Sequence, residues 1–255
     1  MENNYTRETI YKINDLATQF YQEQLKKSKE AQEYLKQRNI NKNSIKEFKI
    51  GYARDDNSLY KYLKEQGYTY DVIIEAGLCC KTENGDLIDR YRNRIIFPII
   101  NEKNKVVAFG GRAIDNSIQK YINGAETTVY SKAQNLYGIT ISKDYAQNGI
   151  IIVEGYIDLI SLNQVGVKNV VALLGTAITD EQIKLIKKYT NKVILTFDSD
   201  LAGQQAALKI GKKLKLYDID YWNIKLENAK DVDEFINKYG IDEFKKLLQN
   251  DDLET

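Results

Sequence analysis

At 255 residues and 43% hydrophobic content, the chain is long enough to bury a core as one large domain or two small ones. It contains no histidine and only two cysteines, the adjacent Cys79 and Cys80, which excludes a structural zinc site, a His-based catalytic triad and a His general base. Lys plus Arg (37) nearly balance Asp plus Glu (36), no apolar run is long enough to span a membrane, and the polar start from Met1 to Thr18 is unlike a signal peptide, so a cytoplasmic protein with no membrane contact is expected.

Asn4 to about Arg38 reads as helix, because Tyr11, Leu16, Phe20, Tyr21, Leu25 and Leu35 recur at helical spacing among charges with no Gly or Pro. Ser44 is placed to cap a short helix ending near Gly51, and Ser58 another running to Gln66 before Gly67, so the chain to about Ala76 is expected to be small helices with tight stops. After Gly77 the period changes. Arg94 to Ile100 and Val106 to Phe109 are predicted strands, the turn-rich Asn101-Glu102-Lys103-Asn104 joining them as a hairpin and Gly110-Gly111 ending the second. From Gly149 onward strand and helix alternate. Gly149 to Val153, Val170 to Leu174, Val193 to Phe197 and Trp222 to Leu226 are predicted strands, and Asp158 to Val165, Asp180 to Tyr189 and Ala202 to Leu216 are the helices between them. Strands that are continuous apolar runs, joined by helices, point to a parallel sheet covered on both faces. With no internal repeat, no low-complexity linker and a single proline, Pro98, a subdomain boundary between Gly138 and Gly149 is expected to be compact.

Charge is unevenly placed. Arg90 to Lys132 holds eight Lys or Arg against three Asp or Glu, whereas Leu226 to Thr255 holds nine acids against four lysines. The first balance suits a polyanionic partner and the second suits cations. Acids also sit at the predicted strand ends: Glu154 and Asp158 after the first strand of the alternating region, Asp198 and Asp200 after the third, Asp231 and Asp233 after the last. In an open parallel sheet, ligands bind beyond the carboxyl ends of the strands, so these side chains should converge on one edge. Clustered carboxylates without His or Cys select a hard cation, Mg²⁺ or Mn²⁺, in the arrangement phosphoryl transfer uses. The competing reading of each acid is a helix cap, Asp158 and Asp200 above all, worth about 1 kcal/mol apiece. Arg90, Arg92 and Arg94 alternate along one predicted strand face, either as an anion-binding stripe or as charges guarding an edge strand.

These segments together resemble a known family. Val153-Glu154-Gly155-Tyr156-Ile157-Asp158, Lys168 to Ala177, Phe197-Asp198-Ser199-Asp200-Leu201-Ala202-Gly203 and Lys230-Asp231-Val232-Asp233 are similar to the toprim module of DnaG-type bacterial DNA primases. Arg90 to Ile99, Phe109-Gly110-Gly111-Arg112, Lys120-Tyr121-Ile122-Asn123, Tyr34 to Arg38 and Ile50 to Ala53 resemble the primase-specific part that precedes it. The likeness covers nearly the whole chain.

The fold the resemblance implies is α/β: a toprim domain, with a Rossmann-like parallel sheet flanked by helices, preceded by a mixed α+β primase-specific subdomain. Residues 1–140 would form that basic-grooved subdomain, 141–226 the toprim subdomain and 227–255 an acidic helical segment. The function it implies is template-directed synthesis of RNA primers on single-stranded DNA during replication, a DNA-directed RNA polymerase activity using NTPs. Glu154, Asp198 and Asp200 would be catalytic and bind Mg²⁺ or Mn²⁺ with support from Asp158, Asp231 and Asp233, while Arg90, Arg92, Arg94, Arg112, Lys120, Asn123 and Lys132 would bind template and nucleotide. No zinc is expected in this chain; the zinc ribbon and the replicative helicase would be partners on other polypeptides, and the helical bundle that closes the family's core has no counterpart among these motifs. Two departures keep their carboxylates: Val232 stands in place of the family's proline, and Gly124-Ala125-Glu126-Thr127 in place of Ser-Pro-Glu-Thr. The rivals are a toprim-type metal-dependent nuclease and a non-catalytic single-stranded DNA-binding remnant; a type IA topoisomerase would need gate domains this length cannot supply.

Overall fold

The computed structural model describes residues 6–115, 119–175 and 177–249. Asn4, where the helical pattern starts, Thr176 of the Lys168 to Ala177 segment and residues 250–255 of the acidic end lie outside the described residues. The chain forms two compact units, residues 1–100 with 104–131, and residues 101–103 with 132–255.

The first unit opens with α1 (Arg7–Lys27) and α2 (Lys29–Gln37). The single expected helix is two, because Ser28 leaves helical geometry (φ −97°, ψ 107°), closes α1 and caps α2 by accepting from the Ala31 N–H at 3.2 Å. α1 buries Ile10, Ile13, Ala17, Tyr21 and Leu25 along one stripe. α3 (Lys42–Glu47) is capped by Asn41, whose Oδ1 accepts from the Ser44 N–H at 2.9 Å; the expected cap, Ser44, is buried one turn in. After β1 (Gly51–Ala53), α4 (Ser58–Glu65) and α5 (Tyr70–Glu75) come a small hairpin of β2 (Cys79–Lys81) and β3 (Leu87–Asp89), then β4 (Arg94–Ile100), β5 (Val106–Ala113) and β6 (Tyr121–Asn123). The main sheet is antiparallel in the order β1-β4-β5-β6. β5 runs straight through Gly110 and Gly111, which were expected to stop it. Gly111 serves packing instead: a Cβ there would stand 2.7 Å from the Tyr91 ring and 3.1 Å from Arg94 Cδ.

The start of α4 is clipped to β3 from both sides. Asn57, not Ser58, is the N-cap residue, and its side chain turns away from its own helix: Oδ1 accepts from the Asp89 N–H at 3.0 Å and Nδ2 donates to Leu87 O at 3.1 Å. Asp89 fills the vacated role, accepting from the Leu59 and Tyr60 N–H groups at 2.9 Å each, with the Cys79 thiol at 3.6 Å. It is 3% exposed. Burial pushes its pKa up to about 6 against the pull of those two N–H groups.

The second unit contains α6 (Ile139–Ser142), β7 (Ile150–Val153), α7 (Tyr156–Gln164), β8 (Val170–Ala172), α8 (Asp180–Lys187), β9 (Lys192–Leu195), α9 (Leu201–Lys215), β10 (Asp220–Asn223) and α10 (Val232–Gln249), the last interrupted at Gly240 (φ 78°). Its sheet is parallel, in the order β10-β9-β7-β8, with helices flanking it, as the alternating apolar runs implied. Ile150 and Ile152 of β7 pack with Ile183 and Ile186 of α8 and Ile210 and Leu214 of α9. Ile151 and Val153 point the other way by the period of two and are equally buried. Among the described residues no helix is long and apolar enough to cross a membrane.

The Asp89 clip has a testable pH signature. A carboxyl whose folded pKa lies above its unfolded value of about 3.9 contributes stability that is present at low pH and lost as pH rises through about 6. In urea denaturation, Asp89→Asn is expected to flatten that part of the stability profile between pH about 4 and about 7, and Asp89→Ala to cost about 1–3 kcal/mol by orphaning the buried Leu59 N–H and the part-buried Tyr60 N–H. Parallel pH profiles for the unaltered chain and Asp89→Asn would contradict this.

Candidate active site

β7 and β9 are parallel neighbours in register, Ile152 beside Leu195, so the residues that follow their carboxyl ends come together. Glu154 Oε1 accepts the Asp198 backbone N–H at 3.0 Å. The Asp198-Ser199-Asp200 turn is tied to the segment before α10 by the Ser199 N–H, which donates to Lys230 O at 2.9 Å. That segment carries Asp231 and Asp233 to the first turn of α7, where Asp158 Oδ1 accepts the Asp233 N–H at 3.3 Å and the Ser161 hydroxyl donates to Asp233 Oδ1 at 2.6 Å. Acids from four segments therefore share one rim of the sheet.

Asp200 and Asp231 cap helices, whereas Asp158 stands three residues after the N-cap, Gly155, and bonds back to it. Asp200 Oδ1 accepts the Gly203 N–H at 2.8 Å and so caps α9; Asp231 Oδ1 accepts the Glu234 N–H at 2.8 Å at the start of α10; Asp158 Oδ2 accepts the Gly155 N–H at 3.1 Å. Gly203 is required here, since a Cβ would stand 2.3 Å from Asp198 O.

Crowding is visible in the electrostatics. Burial first, then the carboxylates of Asp231, Asp198 and Asp233, pushes the Asp158 pKa up to about 7. Asp198 rises to about 6 through burial and then Glu154, Asp231 and Asp200, with Lys230 pulling the other way. Lys230 reaches Asp231 at 3.5 Å. Among the described residues no three of these carboxylates are close enough to form a ready coordination shell. The donors are nonetheless all oxygen, with Asp158, Asp198, Asp231 and Asp233 partly buried and Glu154 and Asp200 exposed, a set that fits a hard divalent cation and not a thiolate- or imidazole-bound one. Ser161 and Lys230 are parts of this rim that the sequence did not single out, although Lys230 stands inside the quoted Lys230-Asp231-Val232-Asp233 run.

The predicted basic residues of the first unit separate by role. The expected stripe does not form on one strand: β4 begins at Arg94, and Asn93 before it takes a left-handed φ of 49°. Arg94, 7% exposed, donates to Gln119 O at 2.9 Å and Lys120 O at 3.2 Å, and Arg90 donates to Asn123 O at 3.1 Å, so both hold the backbone around β6. Arg92 is exposed and pairs with Asp55 at 3.1 Å. Arg112 is different: Nε donates to Tyr34 Oη at 2.5 Å, Nη1 donates to Tyr121 Oη, and its guanidinium lies 5.0 Å from the Tyr121 ring centre. It is half-buried among phenols, with no carboxylate contributing to its titration. Tyr34 and Tyr121, which hold it, were not assigned a role from sequence. Lys120 projects from an exposed position, and in the second unit Lys132 lies against Gly175, where a Cβ would come within 2.8 Å of its Cε and Nζ.

Two family models match the chain: "DNA primase catalytic core, N-terminal domain" over residues 20–143 and "Toprim-like" over residues 151–236. A divalent-metal site accords with the second. The DNA primase of Clostridium acetobutylicum is 43% identical over 94% of this chain and 41% of its own length, and that of Staphylococcus aureus (strain COL) 36% identical over 95% and 42%. The chain thus spans about two fifths of the length of these curated relatives. Among solved structures, the zinc-binding and RNA polymerase domains of Aquifex aeolicus primase superpose with a TM-score of 0.90 at 35% identity, covering 97% of this chain and 62% of that one. A DnaG primase catalytic domain bound to ssDNA superposes with a TM-score of 0.85 at 31% identity, covering 95% and 78%.

A cation that relieves the crowding stabilises the folded state. With Mn²⁺ at about 100 times its Kd, thermal unfolding is expected to shift upward by the equivalent of about 2.7 kcal/mol, and Asp198→Asn to lose most of that shift. Equal Mn²⁺ shifts in both proteins would place the ion elsewhere.

Proposed function

The chain belongs to the catalytic-core family of DnaG-type bacterial DNA primases, and from that membership we propose that it joins ribonucleotides into short RNA primers on a single-stranded DNA template, as a cytoplasmic nucleotidyltransferase of DNA replication. The observation that carries this reading is the gathering of Glu154, Asp198, Asp158 and Asp231 at the carboxyl ends of parallel strands, with Asp158 and Asp198 held above the ordinary carboxylate range. Residues 1–140 act as the nucleic-acid-binding subdomain, 141–226 as the toprim subdomain and 227–255 as the acidic helical segment.

Glu154, Asp198 and Asp200 hold Mg²⁺ or Mn²⁺, supported by Asp158, Asp231 and Asp233. When bound, the cation supplies positive charge to phosphate oxygens and lowers the pKa of a coordinated hydroxyl. The alternative role of the exposed Glu154 carboxylate, oriented by the Asp198 N–H, is that of general base, taking the proton of an attacking 3′-hydroxyl in place of ligating the ion. Asp158 and Asp233 keep the start of α10 against α7, so the six acids stay together. Arg112, steadied by two phenols, presents a guanidinium to a phosphate without having to leave a carboxylate first. Arg90 and Arg94 keep the β6 backbone in place so that Lys120 and Asn123 are presented to the template; Arg92 and Lys132 add charge that neutralises phosphates. Single-stranded DNA, NTPs, a replicative helicase and a zinc-ribbon domain are the partners of this activity.

Primer synthesis from NTPs on a single-stranded template tests the reading. Glu154→Gln and Asp198→Asn are expected to lower the rate by about 10²–10⁴-fold, and Arg112→Ala to weaken template or nucleotide binding more than Arg112→Lys. Degradation of the template in place of primer extension would move the assignment to a nuclease. Unchanged function in Asp198→Asn would move it to a non-catalytic DNA-binding protein.

A further inference from the structure

A groove of about 1470 Å³ opens between α1, α2 and α3 of the first unit, larger than the roughly 300–1,000 Å³ that suits a drug-sized ligand. Leu25, Leu35, Ile40 and Ile50 form its floor, all 5% exposed or less, and the half-buried Ile45 stands in its wall. Lys29, Gln32, Glu33 and Lys36 of α2 line it at helical spacing on one face, whereas Tyr34 and Arg38 do not line it. The groove is therefore separate from the Arg112 cluster.

Its rim is basic. Five lysines face two glutamates, and both glutamates are already taken: Glu23 by Lys26 at 2.5 Å and Glu33 by Lys36 at 3.9 Å. Among the described residues, Lys29, Lys42 and Lys46 have no carboxylate partner within ion-pair distance. All three are exposed. Unpaired ammoniums on one groove select an anionic occupant.

The remaining lining decides which anion. Single-stranded nucleic acid calls for aromatic platforms on which bases stack, and for guanidiniums; this lining has neither an aromatic side chain nor an arginine. It has branched aliphatic side chains below and the amides of Gln19 and Gln22 beside them, whereas Gln32 already donates to Leu25 O and Lys26 O and Asn41 caps α3. Aliphatic pockets receive apolar anchors, carboxamides hydrogen-bond a peptide backbone, and lysines meet acidic side chains. We propose that the α1–α2–α3 groove is the docking site for an acidic peptide segment of a partner protein, seated by aliphatic anchors against the Leu25–Leu35–Ile40–Ile50 floor and the Ile45 wall and by carboxylates on Lys29, Lys42 and Lys46. This goes beyond primer synthesis and is independent of the carboxylate rim.

The test is fluorescence anisotropy with a labelled peptide of about twelve residues, rich in Asp and Glu with two leucine anchors one helical turn apart, titrated with the full chain. Its companions are a leucine-free peptide of the same charge and a labelled oligothymidylate. The leucine-bearing peptide is expected to bind, to lose affinity about tenfold or more in Lys29→Gln/Lys42→Gln/Lys46→Gln, and to lose a smaller factor in Ile45→Gln. Oligothymidylate binding and primer synthesis are expected to be unchanged in these variants. No binding of the peptide, equal affinity for the leucine-free peptide, or full displacement by oligothymidylate from the same lysines would each overturn the proposal. The last of these would make the groove a nucleic-acid track.

Discussion

Mutual repulsion among carboxylates at the rim of the parallel sheet is the constraint around which the second unit is built. Two strand ends, the α7 turn and the entry to α10 deliver acids to one place, and Lys230 offsets only part of their charge. The backbone offsets more. Asp158 lies in the first turn of α7, Asp200 caps α9 and Asp231 accepts an N–H at the start of α10, so three helix N-termini turn their donors and positive dipole ends toward the acids. Charge-assisted bonds to backbone N–H groups fix the carboxylates in position whether or not a cation is bound. Burial first, and the neighbouring carboxylates after it, hold the pKa values of Asp158 and Asp198 up, and the share that comes from the carboxylates is what a divalent cation would remove.

The first unit distributes its cations by a different logic. Arg90 and Arg94 spend their donors on carbonyls of the chain around β6, which makes them structural staples as much as binding groups. Arg112 has phenols where an arginine usually has carboxylates, so its charge is oriented without being neutralised. One element class thus sets geometry and the other leaves charge available, a division invisible in a count of basic residues.

The parallel sheet was legible because its strands are unbroken apolar runs, and the acids were legible because they follow those runs, Glu154 and Asp198 closely and Asp231 and Asp233 after a loop. Asp200 could be read as a cap or as a member of a site, and it is a cap within the cluster. Less could be read from the first unit. β1, β2, β3 and β6 are three residues long, too short for a period of two to register, and the break at Ser28 needs neither Gly nor Pro because the serine caps one helix as it ends another. Gly110 and Gly111 carry the composition of a strand stop, but Gly111 answers to the Tyr91 ring, a constraint from tertiary packing. The pairing of Arg112 with Tyr34 joins residues far apart in sequence, and the exchange between Asn57 and Asp89 moves a cap from its own helix to a neighbouring strand. Long-range exchanges of this kind leave no local pattern.

Carbon-detected NMR titration of the Asp158 and Asp198 side-chain carboxyls in the metal-free chain addresses the central claim most directly. The account expects midpoints near 7 and near 6, both falling when Mg²⁺ is added. Ordinary aspartate midpoints near about 4 for both carboxyls, unmoved by Mg²⁺, would mean that the acids do not crowd and that the rim is no cation site.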